Sequence, residues 1–269
     1  MSDWDDIGYE PEYAGGPDEY DVSARESLRA FFEANDSSVF FVNQVVVQNE
    51  ATFFHWVTRN AIDYLIADGL LATEKRKLAT GSDIKLLWHK RHRYYKRDAG
   101  KIVKLVNEYG SPNMCSAIGL WGEQMVLAGF AKRQFLLRDQ HTRRYGEKEW
   151  TTTNENLDFI FERDGQSYGI EVKNTLSYMD ESEFDSKIAL CEHLEITPVF
   201  AARMLPKSWI KRLIDHGGYA MIMKYQLYPW THVDLAKKVA AELGLPVDAP
   251  KALADGTMDR FLKWHHKKL

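Results

Sequence analysis

Cysteine is nearly missing from this chain, with only Cys115 and Cys191 among 269 residues. Two thiols cannot build a disulfide framework, and without a Cys-x-x-Cys pair or a Cys/His cluster they hold no zinc, which fits a reducing compartment. Both are expected to be small buried side chains. Long apolar runs are missing too. The stretches Val45–Val47 and Tyr219–Met223 fall far short of the ~20 residues that cross a bilayer. No signal-peptide pattern opens the sequence, so no membrane association and a cytoplasmic location are expected. The sequence has no glycine-rich phosphate loop, which argues against a nucleotide-driven motor. Its nine histidines show no HExxH or similar spacing, and His265-His266 fall in a lysine-rich run that reads as a solvated helix face.

What is present is enough apolar material for real cores: 45% hydrophobic and 13% aromatic residues, at a length that suggests two domains. The formal charge of -4 would argue weakly against nucleic acid, but it is unevenly spread. Residues 1–22 carry eight of the 39 acids and no Lys or Arg, so the remaining chain sets all 35 basic residues against 31 acids, a body of +4. That opening segment, with Pro11, Gly15, Gly16 and Pro17, reads as an acidic disordered leader, either a solubilising tail or a shield for a basic face.

Ahead of residue 98 the pattern is helix (Ser23–Ala34), a short element (Val39–Val47), a second helix and a hairpin. In the second helix, Phe53, Phe54, Trp56, Val57, Ala61, Ile62, Leu65 and Ile66 recur at three- and four-residue spacing, and Asp68-Gly69 marks its end. The hairpin runs Leu70–Leu78 and Ile84–His89 around a Thr80-Gly81-Ser82-Asp83 turn. Between Ala72 and Lys104 stand eleven basic residues against Glu74, Asp83 and Asp98. This order resembles a winged helix-turn-helix domain, here residues 23–97. The resemblance implies that Thr52, His55, Thr58, Arg59 and Asn60 enter a DNA groove while Lys75, Lys77 and Lys85 lie on the wing. The string His89–Arg97 interleaves Arg91 and Arg93 with Tyr94 and Tyr95, as a surface that binds phosphate and stacks bases would. Lysines on a hairpin also serve as plain guards against edge-to-edge pairing, and the string also suits an amphipathic linker.

From residue 98 to 229 helices alternate with strands, which implies an α/β layer. The reading is two helices (Ala99–Glu108 and Met114–Phe130), a strand (Ala131–Leu137) and a hairpin (Asn156–Lys173). A helix (Glu181–Leu194), a strand (Pro198–Ala202), a helix (Ser208–His216) and a strand (Ala220–Tyr225) follow. Residues 230–269 offer two further helices, Val233–Leu243 and Met258–Lys267, as a C-terminal extension.

Asp164-Gly165, set between two strand-like runs, is a strong hairpin signal, because a type I′ turn needs positive φ at both central positions. The two-residue turn fixes the register. With Arg163 facing Gln166, Phe161 meets Tyr168, Phe159 meets Ile170, and Asp158 falls opposite Glu171. Like charges in directly paired positions are destabilising unless a cation lies between them. Magnesium takes carboxylate oxygens in its shell. Period-two geometry puts Lys173 on the face of Glu171 and sends Ile170 and Val172 into a core.

Asp158, followed on the next strand by Glu171-Val172-Lys173, resembles the PD-(D/E)XK nuclease superfamily, with Leu157-Asp158 in place of Pro-Asp. The likeness covers about Cys115 to Tyr225 and implies a mixed sheet flanked by helices, preceded here by the small winged-helix domain. It implies that Asp158 and Glu171 are metal ligands, that the Val172 carbonyl is another, and that Lys173 orients or activates the attacking water. Glu123, on the helix before the sheet, would bind metal directly or through water; Gln124 beside it is an alternative. Lys187 and Arg203 are expected in salt bridges, with phosphate contact as the other possibility. The cofactor implied is Mg²⁺, with Mn²⁺ able to substitute. The expected activity is that of a double-stranded DNA endonuclease, a homodimer of restriction or genome-defence type that leaves a 5′-phosphate. A junction-resolvase-like or repair nuclease is the alternative, and an inactive DNA-binding regulator the one from another class.

Overall fold

A computed structural model describes residues 19–269. The expected leader lies outside the described residues up to residue 18, and its last four, Glu19 to Val22, are the first turn of a helix. The chain divides into two compact units, one reaching Cys115 and adding Lys238–Leu245, the other comprising Ser116–Lys237 and Pro246–Leu269.

The first unit runs α1 (Glu19–Ala34), β1 (Val39–Phe41), α2 (Val42–Asn49), α3 (His55–Ala67), β2 (Leu71–Lys77), β3 (Asp83–His89) and α4 (Tyr95–Tyr109). Its sheet is antiparallel in the order β1-β3-β2, with Val39 opposite Trp88. The single short element expected over Val39–Val47 is therefore two. Its β-branched valines enter a helix against their propensity because Val45 and Val46 are buried among Leu28, Phe32 and Phe40, and packing outweighs a preference of a few tenths of a kcal/mol. Helix α3 ends as expected. Gly69 takes φ 75°, and the Leu70 N–H reaches back to the Leu65 carbonyl at 3.1 Å, the closing bond of a Schellman cap. The boundary expected near Arg97 falls inside α4, whose Ala99, Ile102, Leu105 and Val106 are buried.

The second unit takes up most of α5 (Pro112–Lys132) and continues with β4 (Leu136–Thr142), the two-residue ribbon β5 (Arg144–Tyr145) and β6 (Lys148–Glu149), β7 (Leu157–Arg163) and β8 (Gln166–Lys173). Then come α6 (Glu181–His193), β9 (Thr197–Ala202), α7 (Lys207–Asp215), β10 (Tyr219–Ile222) and β11 (Gln226–Leu227). The chain closes with α8 (Val233–Leu243), β12 (Val247–Asp248) and α9 (Asp255–Lys268). Five strands form a mixed sheet in the order β10-β9-β8-β7-β4, antiparallel from β4 to β8 and parallel from β8 to β10. The fold is α/β, a mixed sheet flanked by helices.

Four expectations change here. The strand expected from Ala131 starts only at Leu136, since α5 runs on through Lys132. Cys115 is exposed, while Cys191 is buried as expected. The C-terminal helices are not an appendage of one kind. The end of α8 belongs to the first unit, where the Leu243 carbonyl accepts from Gln44 at 2.9 Å and Gln48 at 2.8 Å. Helix α9 completes the core of the second, with Phe261 fully buried against Phe130, Phe135 and Tyr168. His265, expected on a solvated face, is 0% exposed. A carboxylate only accepts, so the His265 Nε2–H donates to Asp164 at 3.0 Å, while Nδ1 and the Tyr168 hydroxyl share a hydrogen bond at 2.6 Å.

Candidate metal centre

The hairpin β7–β8 has the register that its turn dictates. Asp164 and Gly165 take φ of 52° and 73°, and Arg163 pairs with Gln166, Phe161 with Tyr168 and Phe159 with Ile170. Beyond Phe159 the main-chain ladder stops, and the Asp158 carboxylate takes its place by accepting the Val172 N–H at 2.7 Å. Leu157 and Phe159 join different cores, so strict alternation breaks at Asp158 itself. On β8 alternation holds: Ile170 and Val172 enter the core of α5 and α9, while Glu171 and Lys173 meet residues of α6.

A second irregularity lies on the other side of β7. Strand β4 pairs Leu137 with Phe161 but Asp139 with Ile160, so one extra residue, a β-bulge, is inserted between them. Beyond the bulge Gln140 pairs with Phe159 and Thr142 with Leu157, which places His141 across from Asp158. His141 has φ 47°, a left-handed conformation uncommon outside glycine.

Helix α5 brings the third group. At Gly122 a Cβ would lie only 2.6 Å from the Asn174 Cβ, so only glycine lets the helix come this close. Asn174 cannot yield. Its amide donates to the carbonyls of Ile118 at 2.8 Å and Leu227 at 2.7 Å, and its oxygen accepts the Leu227 N–H at 2.7 Å. Glu123, next along, is thereby set beside the end of β7. One donor atom each from Glu123, His141 and Asp158 lies within 4.8 Å of the other two, and His141 Nε2 stands 3.9 Å from Glu123 Oε2. Two carboxylates and an imidazole are a donor set that suits a divalent cation. Gln124, the alternative to Glu123, is exposed.

Glu171 is 3% exposed and is held differently. Lys187 of α6 reaches it at 2.7 Å and Lys173 at 3.2 Å, while Lys173 also pairs with Glu183 at 2.6 Å. Lys187 further donates to the Asn156 carbonyl and lies 3.4 Å from Glu155. Burial first, and the nearby Asp158 charge second, push the Glu171 carboxyl up to about 7 against the pull of both lysines. Burial also raises Asp158, opposed by the Val172 N–H and reinforced by Glu123. Burial works to lower Lys173, but Glu171 and Glu183 together hold its ammonium well above the usual lysine range. The cation expected between Asp158 and Glu171 thus has competition: lysines already occupy the Glu171 side, and the open ligand group lies on the Glu123 side. Lys187 is the salt-bridge residue that was expected, paired with Glu171. Arg203 is 7% exposed, and its main-chain N–H donates to the Lys173 carbonyl at 3.0 Å.

The groove candidates of the first unit divide. Thr58 is 0% exposed, packed on the core side of α3, and cannot meet a ligand. Arg59 donates to Asn43 at 2.6 Å, Asn60 is exposed, and the Thr52 carbonyl accepts from Tyr20 at 2.5 Å. Burial and then the neighbouring Arg59 lower His55 to about 4. On the hairpin Lys75 is exposed, Lys77 pairs with Asp83 at 3.1 Å and Lys85 with Asp63 at 2.9 Å. Arg91, Arg93 and the 78% exposed Tyr94 face solvent, whereas Tyr95 stacks on Trp88 with centroids 4.0 Å apart.

Sequence reasoning missed His141, Gly122, Asn174 and Glu183. Only Gly122, a glycine next to a candidate ligand on an otherwise apolar helix, carried a readable signal. Compared with family models, curated proteins and solved structures, the chain matches none.

Proposed function

We propose that this chain is a metal-dependent DNA endonuclease of the PD-(D/E)XK kind, with a winged-helix module as its first unit. The observation that carries this reading is the meeting of Asp158 on β7 with Glu171 and Lys173 on β8, beside Glu123 from the helix before the sheet. A phosphodiester repels nucleophiles by its own charge. A divalent ion, Mg²⁺ or Mn²⁺, would offset that charge and acidify a water when bound. Glu123 and Asp158 would hold it, with Glu171 and the Val172 carbonyl joining them once the lysines give way. Lys173 would place its ammonium against the phosphate or the attacking water as negative charge builds up.

The DNA-binding half rests on the element order helix, strand, helix, helix, hairpin, and on exposed Lys75, Arg91, Arg93 and Tyr94. Duplex DNA is the proposed partner and a homodimer the proposed form for cutting both strands. A restriction or genome-defence role comes first, a junction-resolving or repair role second. One observation favours an inactive regulator instead: Glu171 is already neutralised by Lys187 and Lys173.

The test is cleavage of plasmid, linear duplex, single-stranded and four-way-junction DNA, each with Mg²⁺, Mn²⁺ or EDTA, beside Lys173→Ala. Metal-dependent cutting that the substitution abolishes, with binding retained, is the expected result; the preferred substrate separates the nuclease types. Binding without cutting on every substrate would establish the regulator.

A further inference from the structure

The ligand group around Asp158 differs from an all-oxygen magnesium site in one member, and that member is there because of the bulge in β4. Were the pairing of Leu137 with Phe161 continued without interruption, Gln140 would stand opposite Asp158. The one inserted residue shifts the strand so that Gln140 pairs with Phe159 and His141 takes the place opposite Asp158. A bulge is a local device that re-aims a side chain next to a functional site. Here it exchanges an amide, a poor ligand, for an imidazole. His141 is also held at φ 47°, and its side chain remains 58% exposed.

The spacing fits an ion better than a direct bond. His141 Nε2 and Glu123 Oε2, at 3.9 Å, are too far apart to hydrogen-bond, and no pair in the group exceeds 4.8 Å. Donors sharing one ion at ~2.1 Å stand roughly 3 to 4 Å apart, so about one ångström of side-chain movement closes the group. Glu123 and Asp158 meanwhile oppose each other's charge, a cost that a bound cation removes.

We propose that His141 is the third protein donor, with Glu123 and Asp158, of a mixed nitrogen and oxygen site that takes Mn²⁺ and its transition-metal neighbours in preference to Mg²⁺. The chemistry is that of ligand type. Magnesium favours oxygen and gives up water reluctantly, whereas imidazole favours first-row transition ions, whose affinity rises along the series from Mn²⁺. This inference rests on the cation site proposed above and leaves open whether DNA is what the site cuts.

The experiment therefore uses the full chain without nucleic acid. Mn²⁺ binding is followed by electron paramagnetic resonance, Mg²⁺ binding by competition, and directly bound imidazole by the ¹⁴N modulation of the Mn²⁺ spin echo. The variants are His141→Gly, which suits the left-handed backbone, His141→Ala, and Asp158→Asn as the control that removes the site; thermal melts establish that each folds. The wild-type chain should bind Mn²⁺ at least tenfold more tightly than Mg²⁺ and show ¹⁴N coupling. Both His141 variants should lose the coupling and at least tenfold in Mn²⁺ affinity, with Mg²⁺ affinity changed less than twofold. Equal affinity for the two ions, or coupling that survives in His141→Gly, overturns the inference. Mn²⁺ bound through nitrogen with no DNA cleavage would instead overturn the nuclease reading and leave this one standing.

Discussion

The two units of this chain treat charge in opposite ways. Among the described residues, the buried formal charges Glu171, Lys187 and Arg203 all lie in the second unit, whereas Lys75, Arg91 and Arg93 of the first stand in solvent. Burial makes a charge strong and specific, because low dielectric magnifies every neighbour, but the group has to be paired or its cost is several kcal/mol. Exposure makes it weak and forgiving. The first arrangement suits chemistry at one atom, the second a polyanion whose charges recur along its length.

The contrast is sharpest at Lys173. Lys173→Ala should lower cleavage roughly 10³-fold or more while the binding isotherm for duplex DNA stays in place, as expected for an ammonium that acts on developing charge. Cleavage reduced only a few fold would put Lys173 with the forgiving charges. Next in size is Lys187→Met, which leaves Glu171 buried with one partner fewer. Thermal and urea unfolding should show a loss of about 3 kcal/mol, partly recovered when Glu171→Gln is added, because removing both members of a buried pair costs less than removing one. Additive losses would mean the two residues do not act as a pair.

The first unit should respond more mildly. Arg91→Ala with Arg93→Ala should weaken DNA binding and flatten the plot of log affinity against log salt by about 2, near one for each lost phosphate contact, without altering sequence preference. An unchanged slope would remove these arginines from the interface. The smallest effect is an acid one. Unfolded His55 binds a proton near 6.5 and the folded residue only near 4, so between those values the unfolded chain binds more protons. Stability of the first unit should fall as pH drops through that window, and His55→Gln should recover on the order of 1 kcal/mol at pH 4.5, after allowance for the partial exposure of the ring.

Legibility followed locality. The hairpin at Asp164-Gly165 was readable to the residue, because a two-residue turn with positive φ at both positions leaves one register, and Phe159 does meet Ile170. Most helices were readable within a few residues, since periodicity and Gly69-type stops are local signals. The split of Val39–Val47 into strand and helix was not, because its helical half is decided by burial rather than propensity. At the site, the spacing on β7 and β8 brought Asp158 near Glu171, but not into the direct pairing expected: the ladder ends at Phe159 and Ile170, and the Asp158 carboxylate accepts the Val172 N–H instead. His141 was not legible: its place depends on a bulge, and an extra residue in a strand has no mark in the sequence unless the partner strand is already known. Nor was the locking of Glu171 by α6, because which lysine on a helix turns inward is a tertiary matter. Thr58 misled for the same reason, since a helix pattern gives the spacing of its faces better than their edges.

The bulge in β4 makes the centre a question of parity. Side-chain alternation guarantees that an even number of inserted residues returns the same row of ligands, while an odd number exchanges it for the row behind. Closing the bulge in the same sequence, with Leu137 kept on Phe161, would instead put Gln140 opposite Asp158 in place of the imidazole. Preference among metals would then be open to revision by a one-residue change of register, with no ligand itself mutated.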